Sequence, residues 1–339
     1  MTPTELKRAP NGSGRSRRIL VTHTQIAPSA IDLLNDNDID VFFSPPYDPS
    51  DIVATRARDL QVDAIMVRQG KINDQVIGAS PKLKVIVKHG VGVDNIDLTA
   101  AHARGIPVLR AMGSNSRAVA EHAIALALML VKEVQPLNAA VKGGKWPKPT
   151  FIGKDFQGAT MGLVGYGGIG RETARMAEAL GMEVVVHDPY APQMAEGDGF
   201  ATAGDLDAML PGLDILSLHC PLTAATRHLI DARRLSLMKP DAVIVNTARG
   251  GIIDEAALAQ ALDARTIAGA ALDSFATEPP AADNPLWAQP NLIATPHIGG
   301  VTAGSARAMA EIAARHIISV LDGNAPDERS LARPSELAA

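Results

Sequence analysis

The chain has 339 residues, of which 46% are hydrophobic and 20% charged, so it is long enough for two domains with substantial cores. Its formal net charge of −5 gives no indication of a nucleic-acid partner or of an anionic membrane surface as partner. Its single cysteine, Cys220, excludes an intramolecular disulfide. This is typical of a reducing compartment, and we expect a cytoplasmic protein.

The first 18 residues are rich in basic side chains. These are Lys7, Arg8, Arg15, Arg17 and Arg18. Because no apolar segment follows, no secretory signal is expected, and a disordered basic tail is the simplest interpretation. The most apolar stretch, residues 123–131, is shorter than the ~20 residues that span a bilayer. It indicates a buried helix, and no membrane partner is expected.

From Ile19 onward, short apolar runs alternate with helix-like segments. The first strand candidates are residues 19–23, 41–43, 64–67, 85–87 and 107–109. Such alternation of strand and helix predicts a parallel sheet covered by helices on both faces.

A long helical pattern from Ser116 to Val134 interrupts this alternation. The segment 141–158 is rich in Gly, Pro and Lys and predicts a loop or an extended arm. Strand candidates then resume at residues 161–165, 183–188, 215–219, 242–248, 268–273 and 291–297. A last helix, Ser305 to Leu321, is expected to pack on the first unit.

The pattern therefore predicts two doubly wound α/β domains. Residues 19–112 and 301–325 form one of them, residues 113–300 form the other, and a polar tail follows at 326–339. A cleft between two such domains is a common place for a ligand.

Gly165, Gly167 and Gly170 form the pattern G-x-G-x-x-G between an apolar strand and a helix. In that context the pattern predicts a dinucleotide-binding turn: the glycines allow the tight turn, the approach of a pyrophosphate, and close packing of helix on strand. Asp188 ends the next strand candidate, 18 residues beyond Gly170. Its carboxylate can bind ribose hydroxyls and would repel a 2′-phosphate, which favours NAD over NADP. A glycine-rich turn without a ligand is the alternative.

Three ionisable residues follow strand candidates of the second domain: Arg249, Glu278 and His297. Arginine can clamp a carboxylate and its neighbouring carbonyl, histidine can pass a proton in either direction, and a glutamate can orient that histidine. Each also has a simpler interpretation. Arg249 can be a surface charge, His297 a packed histidine and Glu278 a loop carboxylate.

Other polar residues give weaker evidence of a functional site. His219 and Cys220 adjoin at a strand end, which indicates either a thiolate nucleophile or, in our preferred interpretation, the lining of a cofactor site. No Cys/His spacing resembles a zinc site, and no metal is expected. The segment 89–95, HGVGVDN, lacks the third glycine of a dinucleotide fingerprint, although its backbone N–H groups could bind an anion.

The chain resembles the D-isomer-specific 2-hydroxyacid dehydrogenases, and within them the branch of phosphoglycerate dehydrogenases and hydroxypyruvate reductases. The motifs that carry the resemblance are KVIVKHGVGVDNIDL, SNSRAVAEHAIALALML, MGLVGYGGIGRETA, HCPLT, NTARGGIIDEAAL, AGAALDSFATEPP and TPHIGG. They occur in the family's order from about residue 64 to residue 300.

The resemblance implies a Rossmann domain that binds NAD, inserted into a flavodoxin-like substrate domain. It implies hydride transfer between the nicotinamide and a small 2-hydroxy or 2-keto acid, such as hydroxypyruvate, glyoxylate or 3-phosphoglycerate. It also implies a homodimer that is formed through the helix from Ser116 and the arm around Trp146. An NAD-responsive binding protein of the corepressor type is the alternative, since some relatives act in that way.

The resemblance also assigns roles to residues. Arg249 would bind the substrate carboxylate and carbonyl, His297 would be the acid/base, and Glu278 would pair with His297. The implied substrate-binding residues are Arg68, Val91 and Gly92. The implied cofactor-binding residues are Val119, Gly165, Tyr166, Gly167, Gly168, Ile169, Gly170, Asp188, His219, Pro221, Thr226, Ala248, Asp273 and Gly299.

Overall fold

The computed structural model describes residues 17–334, which form two compact units. One unit contains the described residues up to Asn115 and those from Val301 on, and the other is Ser116–Gly300. The predicted basic tail lies outside the described residues up to residue 16. Arg17 and Arg18 belong instead to the first strand, where the Arg18 N–H donates to Asp63 Oδ2 at 2.8 Å.

In chain order, the strands are β1 (Arg17–Val21), β2 (Ile39–Phe43), β3 (Ala64–Val67), β4 (Val85–Lys88), β5 (Val108–Arg110), β6 (Thr160–Val164), β7 (Glu183–His187), β8 (Ala201–Thr202), β9 (Ile215–Leu218), β10 (Val243–Asn246), β11 (Gly269–Leu272) and β12 (Leu292–Ala294). The helices are α1 (Pro28–Asp36), α2 (Ser50–Leu60), α3 (Asp74–Ile77), α4 (Leu98–Ala103), α5 (Ser116–Val131), α6 (Val134–Lys142), α7 (Gly168–Ala179), α8 (Pro192–Gly197), α9 (Leu206–Met209), α10 (Ala232–Leu237), α11 (Glu255–Asp263) and α12 (Ala303–Leu321).

The first unit is a five-stranded parallel sheet with the order β2-β1-β3-β4-β5. Alternate side chains of a strand point to opposite faces. Ile19 and Val21 therefore join the core under α1 and α12, whereas Leu20 joins the core under α2. Ile317 of α12 is fully buried in the first of these cores, so this helix completes the unit from the far end of the chain.

The second unit is a seven-stranded parallel sheet with the order β12-β11-β10-β9-β6-β7-β8. Strand β6 pairs with β7 on one side and with β9 on the other, so the strand order reverses between β6 and β9. Ligands of such sheets bind beyond the carboxyl ends of the strands at this reversal. The predicted pair of doubly wound parallel sheets is confirmed.

The structure differs from the predicted elements in two places. The predicted helix from Ser116 to Val134 ends at Val131 as α5, and a second helix, α6, which was not predicted, begins at Val134 after Glu133, whose conformation is left-handed with φ 50°. Strand β8 was not predicted, since its two residues are too few to show a pattern. Within residues 17–334, no single helix is long and apolar enough to cross a bilayer, and α5 and α6 reach that length only as a pair bent by 58°.

The chain after α12 returns to the first sheet. The Arg110 N–H donates to Ser330 O at 2.9 Å, and the Ala332 N–H donates to Val108 O at 2.8 Å. Part of the polar tail predicted from residue 326 therefore pairs with β5, which polar composition alone does not reveal. Residues 335–339 of that tail lie outside the described chain.

Candidate active site

Glycines shape the turn between β6 and α7. Gly165 has φ +97°, and a Cβ there would lie 2.7 Å from the backbone nitrogen of Cys220. A Cβ on Gly170 would lie 2.3 Å from Gly165 O, so the third glycine is needed where helix packs on strand. At Gly167 a Cβ would meet no described atom within 4 Å, so the space above this glycine is open. The three glycines therefore differ in role as the fingerprint predicts.

Helix α7 presents its N-terminus at this open side. Its first residues are Gly168, Ile169 and Gly170, and no described side chain caps the helix. The first N–H groups of a helix lack intrahelical acceptors, and they carry the positive end of the helix dipole. This turn therefore fits a pyrophosphate.

Tyr166 supports the turn from below. Its side chain is fully buried, and its hydroxyl donates to Asp198 Oδ2 at 2.9 Å. Burial first, and then the bond to Asp198, raise the pKa of Tyr166 to about 12. Only the backbone of Tyr166 is thus left to face a ligand, because its ring is held inside the domain.

Asp188 follows β7 and contacts the fingerprint directly. Its Oδ2 accepts the Tyr166 N–H at 2.7 Å, and its Oδ1 accepts the N–H groups of Tyr190 at 2.9 Å and Ala191 at 3.2 Å. The carboxylate therefore braces two loops, a task that the sequence pattern did not reveal, and it stays half-exposed beside the glycine turn.

Buried polar atoms without partners follow three neighbouring strands of the second unit. His219 Nδ1, Thr247 Oγ1 and Ser274 Oγ have no hydrogen-bond partner among the described residues. They come one residue after β9, one after β10 and two after β11, at the carboxyl edge of the sheet. Buried polar groups are normally satisfied, so these atoms fit a polar ligand at this edge.

His219 and Cys220 do not form a reactive pair. Burial lowers the pKa of His219 to about 4, and its Nε2 is 2.9 Å from Ser217 Oγ. Burial also raises the pKa of the Cys220 thiol to about 12. Since such a thiol stays protonated at neutral pH, the thiolate interpretation is not supported.

The other predicted cofactor residues of this unit are distributed along the same edge and on α5. In the loop after β9, Thr226 Oγ1 donates to Pro221 O at 2.7 Å. Ala248 follows β10, and its N–H donates to Asn246 Oδ1 at 3.0 Å. Val119 is buried on α5.

Arg249 is held by the loop that follows β10. Asn246 Nδ2 donates to Arg249 O at 2.8 Å, and Arg249 Nη1 donates to Ala248 O at 2.7 Å. The next residue, Gly250, packs on the loop after β11 so closely that a Cβ would lie 1.9 Å from the carbonyl carbon of Phe275. The loops that carry Arg249 and Glu278 are therefore in contact.

Glu278 and His297 are in hydrogen-bond contact. His297 Nδ1 is 2.8 Å from Glu278 Oε2 and 3.0 Å from Oε1, and the Phe275 N–H donates to Oε1 at 3.0 Å. Burial alone would raise the pKa of the Glu278 carboxyl. The bonds from His297 and Phe275, and the charge of Arg249, outweigh it and hold that pKa below its usual value. The structure thus brings together the three residues predicted to be catalytic.

Asp273 organises the turn that carries His297. Its Oδ1 accepts the Thr295 hydroxyl at 2.6 Å and the Ile298 N–H at 2.9 Å, and its Oδ2 accepts the Gly299 N–H at 2.7 Å. A Cβ on Gly299 would lie 2.9 Å from Oδ2, so only glycine fits there.

Sequence reasoning missed His122, which lies on α5. Its Nε2 is 3.1 Å from Thr295 Oγ1 and 3.5 Å from Asp273 Oδ1. Burial of Asp273 would raise its pKa, but the bonds from His122, Thr295 and the two N–H groups lower it. The only signal in the sequence was the position of His122 within the motif AEHAIALALML.

The predicted substrate-binding residues lie in the first unit, beyond the ends of β3 and β4. Arg68 Nη1 is 3.3 Å from His23 Nδ1 and donates to Gln25 O at 3.3 Å, whereas Val91 and Gly92 are half-buried. Burial first, and then the charge of Arg68, lower the pKa of His89 to about 4. His23 and His89 were not predicted here.

No group of three or more His, Cys, Asp or Glu side chains in the described part of the chain is arranged to hold a metal ion.

Comparison with known proteins identifies the second unit. Residues 124–299 match the family model described as the NAD-binding domain of D-isomer specific 2-hydroxyacid dehydrogenases. The prediction of an NAD-binding domain is confirmed by this match.

Curated relatives and solved structures agree with the match. The D-3-phosphoglycerate dehydrogenase of Methanocaldococcus jannaschii is 43% identical over 263 residues, 77% of this chain and 50% of that protein. The (S)-sulfolactate dehydrogenase of Chromohalobacter salexigens is 44% identical over 259 residues, 74% of this chain and 83% of that protein. An NADPH-dependent glyoxylate/hydroxypyruvate reductase from Sinorhizobium meliloti, solved with citrate, has a TM-score of 0.81 at 30% identity and covers 96% of this chain and 100% of its own.

The chain spans about half the length of the phosphoglycerate dehydrogenases that it matches, at 50% and 56% of two archaeal ones.

Proposed function

The chain belongs to the D-isomer-specific 2-hydroxyacid dehydrogenase family, as its motifs predicted, and we propose that it is an NAD-dependent oxidoreductase. The proposed reaction transfers hydride between the nicotinamide and a small D-2-hydroxy acid or the corresponding 2-keto acid. The observation that carries this proposal is the His297–Glu278 pair at 2.8 Å, with Arg249 near enough for its charge to act on Glu278.

When bound, the nicotinamide supplies or accepts the hydride. Because Glu278 occupies the Nδ1 side of His297, Nε2 is the nitrogen that is left for the substrate oxygen. In the reductive direction, Nε2 donates its proton to the carbonyl oxygen as this oxygen gains charge, and Glu278 stabilises the imidazolium beforehand. Arg249 holds the substrate carboxylate through its guanidinium, and Arg68, Val91 and Gly92 are the further proposed substrate contacts.

We propose NAD rather than NADP as the cofactor. The support is Asp188, a half-exposed carboxylate fixed beside the glycine turn by three backbone N–H groups. In that position it can accept ribose hydroxyls, whereas a 2′-phosphate would meet a like charge.

We propose a small 2-keto acid such as hydroxypyruvate, glyoxylate or 3-phosphohydroxypyruvate as the oxidised substrate. Relatives with these activities, or with sulfolactate, in their names support that class. Their substrates share a carboxylate beside the reacting carbon, which is the group that an arginine in the position of Arg249 would hold.

We also propose a homodimer. Helix α6 has no buried residue within its own chain, although its sequence is amphipathic. Apolar side chains on it and on the following arm are exposed, namely Val134, Val141, Trp146 and Ile152. Apolar surface of this extent is typical of an interface. A cytoplasmic location, and the lack of nucleic-acid or membrane partners, stay predictions from the single cysteine and the net charge of −5.

A panel of 2-keto acids tests the proposed function. The purified protein should oxidise NADH, followed as loss of absorbance, with at least one of hydroxypyruvate, glyoxylate, 3-phosphohydroxypyruvate and 3-sulfopyruvate. The variant Arg249→Lys should lose most of the kcat/KM, because a lysine cannot reproduce two parallel hydrogen bonds. NADH binding without turnover of any of these acids would contradict the proposal and favour the corepressor-type alternative.

A further inference from the structure

His122 contacts the turn that carries His297, although it is 173 residues from Thr295 in the chain. Its ring lies on α5 with 22% of the side chain exposed. Besides the contacts of Nε2 with Thr295 and Asp273, the ring lies against Gly299, where an added Cβ would be 3.2 Å from His122 Cδ2. His122 is therefore packed tightly against both ends of the segment 295–299.

The hydrogen bonds between these residues have one direction. Asp273 is ionised and can only accept, so the Thr295 hydroxyl donates to it at 2.6 Å. Thr295 Oγ1 is then left to accept from His122 Nε2 at 3.1 Å. Nε2 must therefore carry a hydrogen, and the bonds run from His122 through Thr295 to Asp273.

Asp273 in turn holds the backbone on the far side of His297 through the N–H groups of Ile298 and Gly299. His297 has φ 56°, a left-handed conformation that residues other than glycine adopt rarely. Such a conformation persists only where the surroundings fix it. Here three hydrogen bonds to the Asp273 carboxylate fix the conformation of His297. One comes from the Thr295 hydroxyl before His297, and two come from the backbone N–H groups of Ile298 and Gly299 after it.

We propose that His122 is a positioning residue for His297. Through Thr295 and Asp273 it fixes the left-handed turn and so aims the imidazole at the substrate oxygen, without touching substrate or cofactor itself. This inference rests on the proposed function of His297 as the acid/base.

Two substitutions of His122 separate hydrogen bonding from packing. His122→Leu fills space but removes the donor, whereas the terminal amide of His122→Gln can donate from nearly the same place. We expect His122→Leu to lower kcat by about 10–10²-fold, since small misplacements of a catalytic group have effects up to that size. The KM for the 2-keto acid should change little, and His122→Gln should restore most of the kcat.

Thr295→Val tests the same chain of hydrogen bonds at its central residue, since it removes the hydroxyl and keeps the shape of the side chain. The double variant of Thr295→Val with His122→Leu should have a kcat no lower than that of the poorer single variant, because both substitutions break the same chain of hydrogen bonds. Ser80→Ala is the matched control: this buried hydroxyl donates to Val62 O at 2.8 Å in the first unit, and its loss should leave kcat unchanged.

Amide hydrogen exchange gives a readout that is independent of turnover. The N–H groups of Ile298 and Gly299 should exchange faster in His122→Leu than in the wild type, and His122→Gln should restore their protection. A His122→Leu variant with wild-type kcat and unchanged exchange would overturn the inference, and so would a His122→Gln variant as impaired as His122→Leu. If the wild type turned over no 2-keto acid, the proposed function would fail, while the exchange data would still test the contact.

Discussion

The contact between Glu278 and the His297 ring determines which ring nitrogen is available to exchange a proton with a substrate. Glu278 contacts Nδ1, so in the proposed reaction the proton would pass through Nε2. His297→Ala should lower kcat by roughly 10²–10⁴-fold, the usual contribution of a positioned acid/base, with little change in NADH binding. Steady-state kinetics together with a fluorescence titration of NADH measure both quantities. The exposed His102 on α4 provides the control, and near-normal turnover of His297→Ala would remove His297 from the mechanism.

Asp188 braces two loops and, in the proposed function, also selects the cofactor. Asn keeps the size of the side chain and can still accept the N–H groups of Tyr190 and Ala191 with its one oxygen, but it removes the charge and the acceptor of the Tyr166 N–H. The wild type should prefer NADH over NADPH by on the order of 10²-fold or more in kcat/KM, because a juxtaposed like charge can cost several kcal/mol in recognition. Asp188→Asn should reduce that preference, mainly by raising the kcat/KM for NADPH. Equal efficiency with both cofactors in the wild type would show that this reading of Asp188 is wrong.

At the scale of elements, the loops after β10 and β11 fit together only because Gly250 has no side chain. A Cβ at Gly250 would overlap the backbone of Phe275, so Gly250→Ala must displace the loops that carry Arg249 and Glu278. We expect a loss of about 1–3 kcal/mol in the free energy of unfolding and a loss of activity. Gly212→Ala, where a Cβ meets no described atom within 4 Å, should change neither. Chemical denaturation and turnover of the two variants check this, and a Gly250→Ala protein as stable and active as Gly212→Ala would contradict it.

The strands, the fingerprint turn and the placement of Arg249, Glu278 and His297 after strands of one sheet were predictable because each depends on a local pattern. Apolar runs mark buried parallel strands, and strand ends place polar residues at one edge of a sheet. The two-residue strand β8 and the break before α6 were not predictable, since neither leaves a hydrophobic period. The hydrogen bond between His122 and Thr295 was not predictable from the sequence. The two residues are far apart in the chain, and histidine and threonine occur in many other structural roles.

At the scale of the whole molecule, the proposed dimer involves α6, which has no buried residue within the described chain, and the exposed apolar side chains Trp146 and Ile152 of the arm that follows it. Light scattering at micromolar concentration should give about twice the 35.5 kDa of one chain. Ile152→Asp should weaken the dimer, because it would place a charge in a contact that is expected to be apolar. Ile52→Asp, at an exposed apolar side chain on α2, is the matched control and should leave the mass unchanged. A wild-type mass near 35.5 kDa would refute the dimer.

The most direct test of hydride transfer to a 2-keto acid is the fate of a label. NADH that carries deuterium at the transferable C4 position should reduce hydroxypyruvate to D-glycerate with one deuterium at C2, as measured by mass spectrometry and chiral separation. The label should move from nicotinamide to product without exchange with water, because the proposed reaction passes hydride directly between the two carbons. Product without deuterium at C2, or of the L configuration, would contradict the proposed reaction.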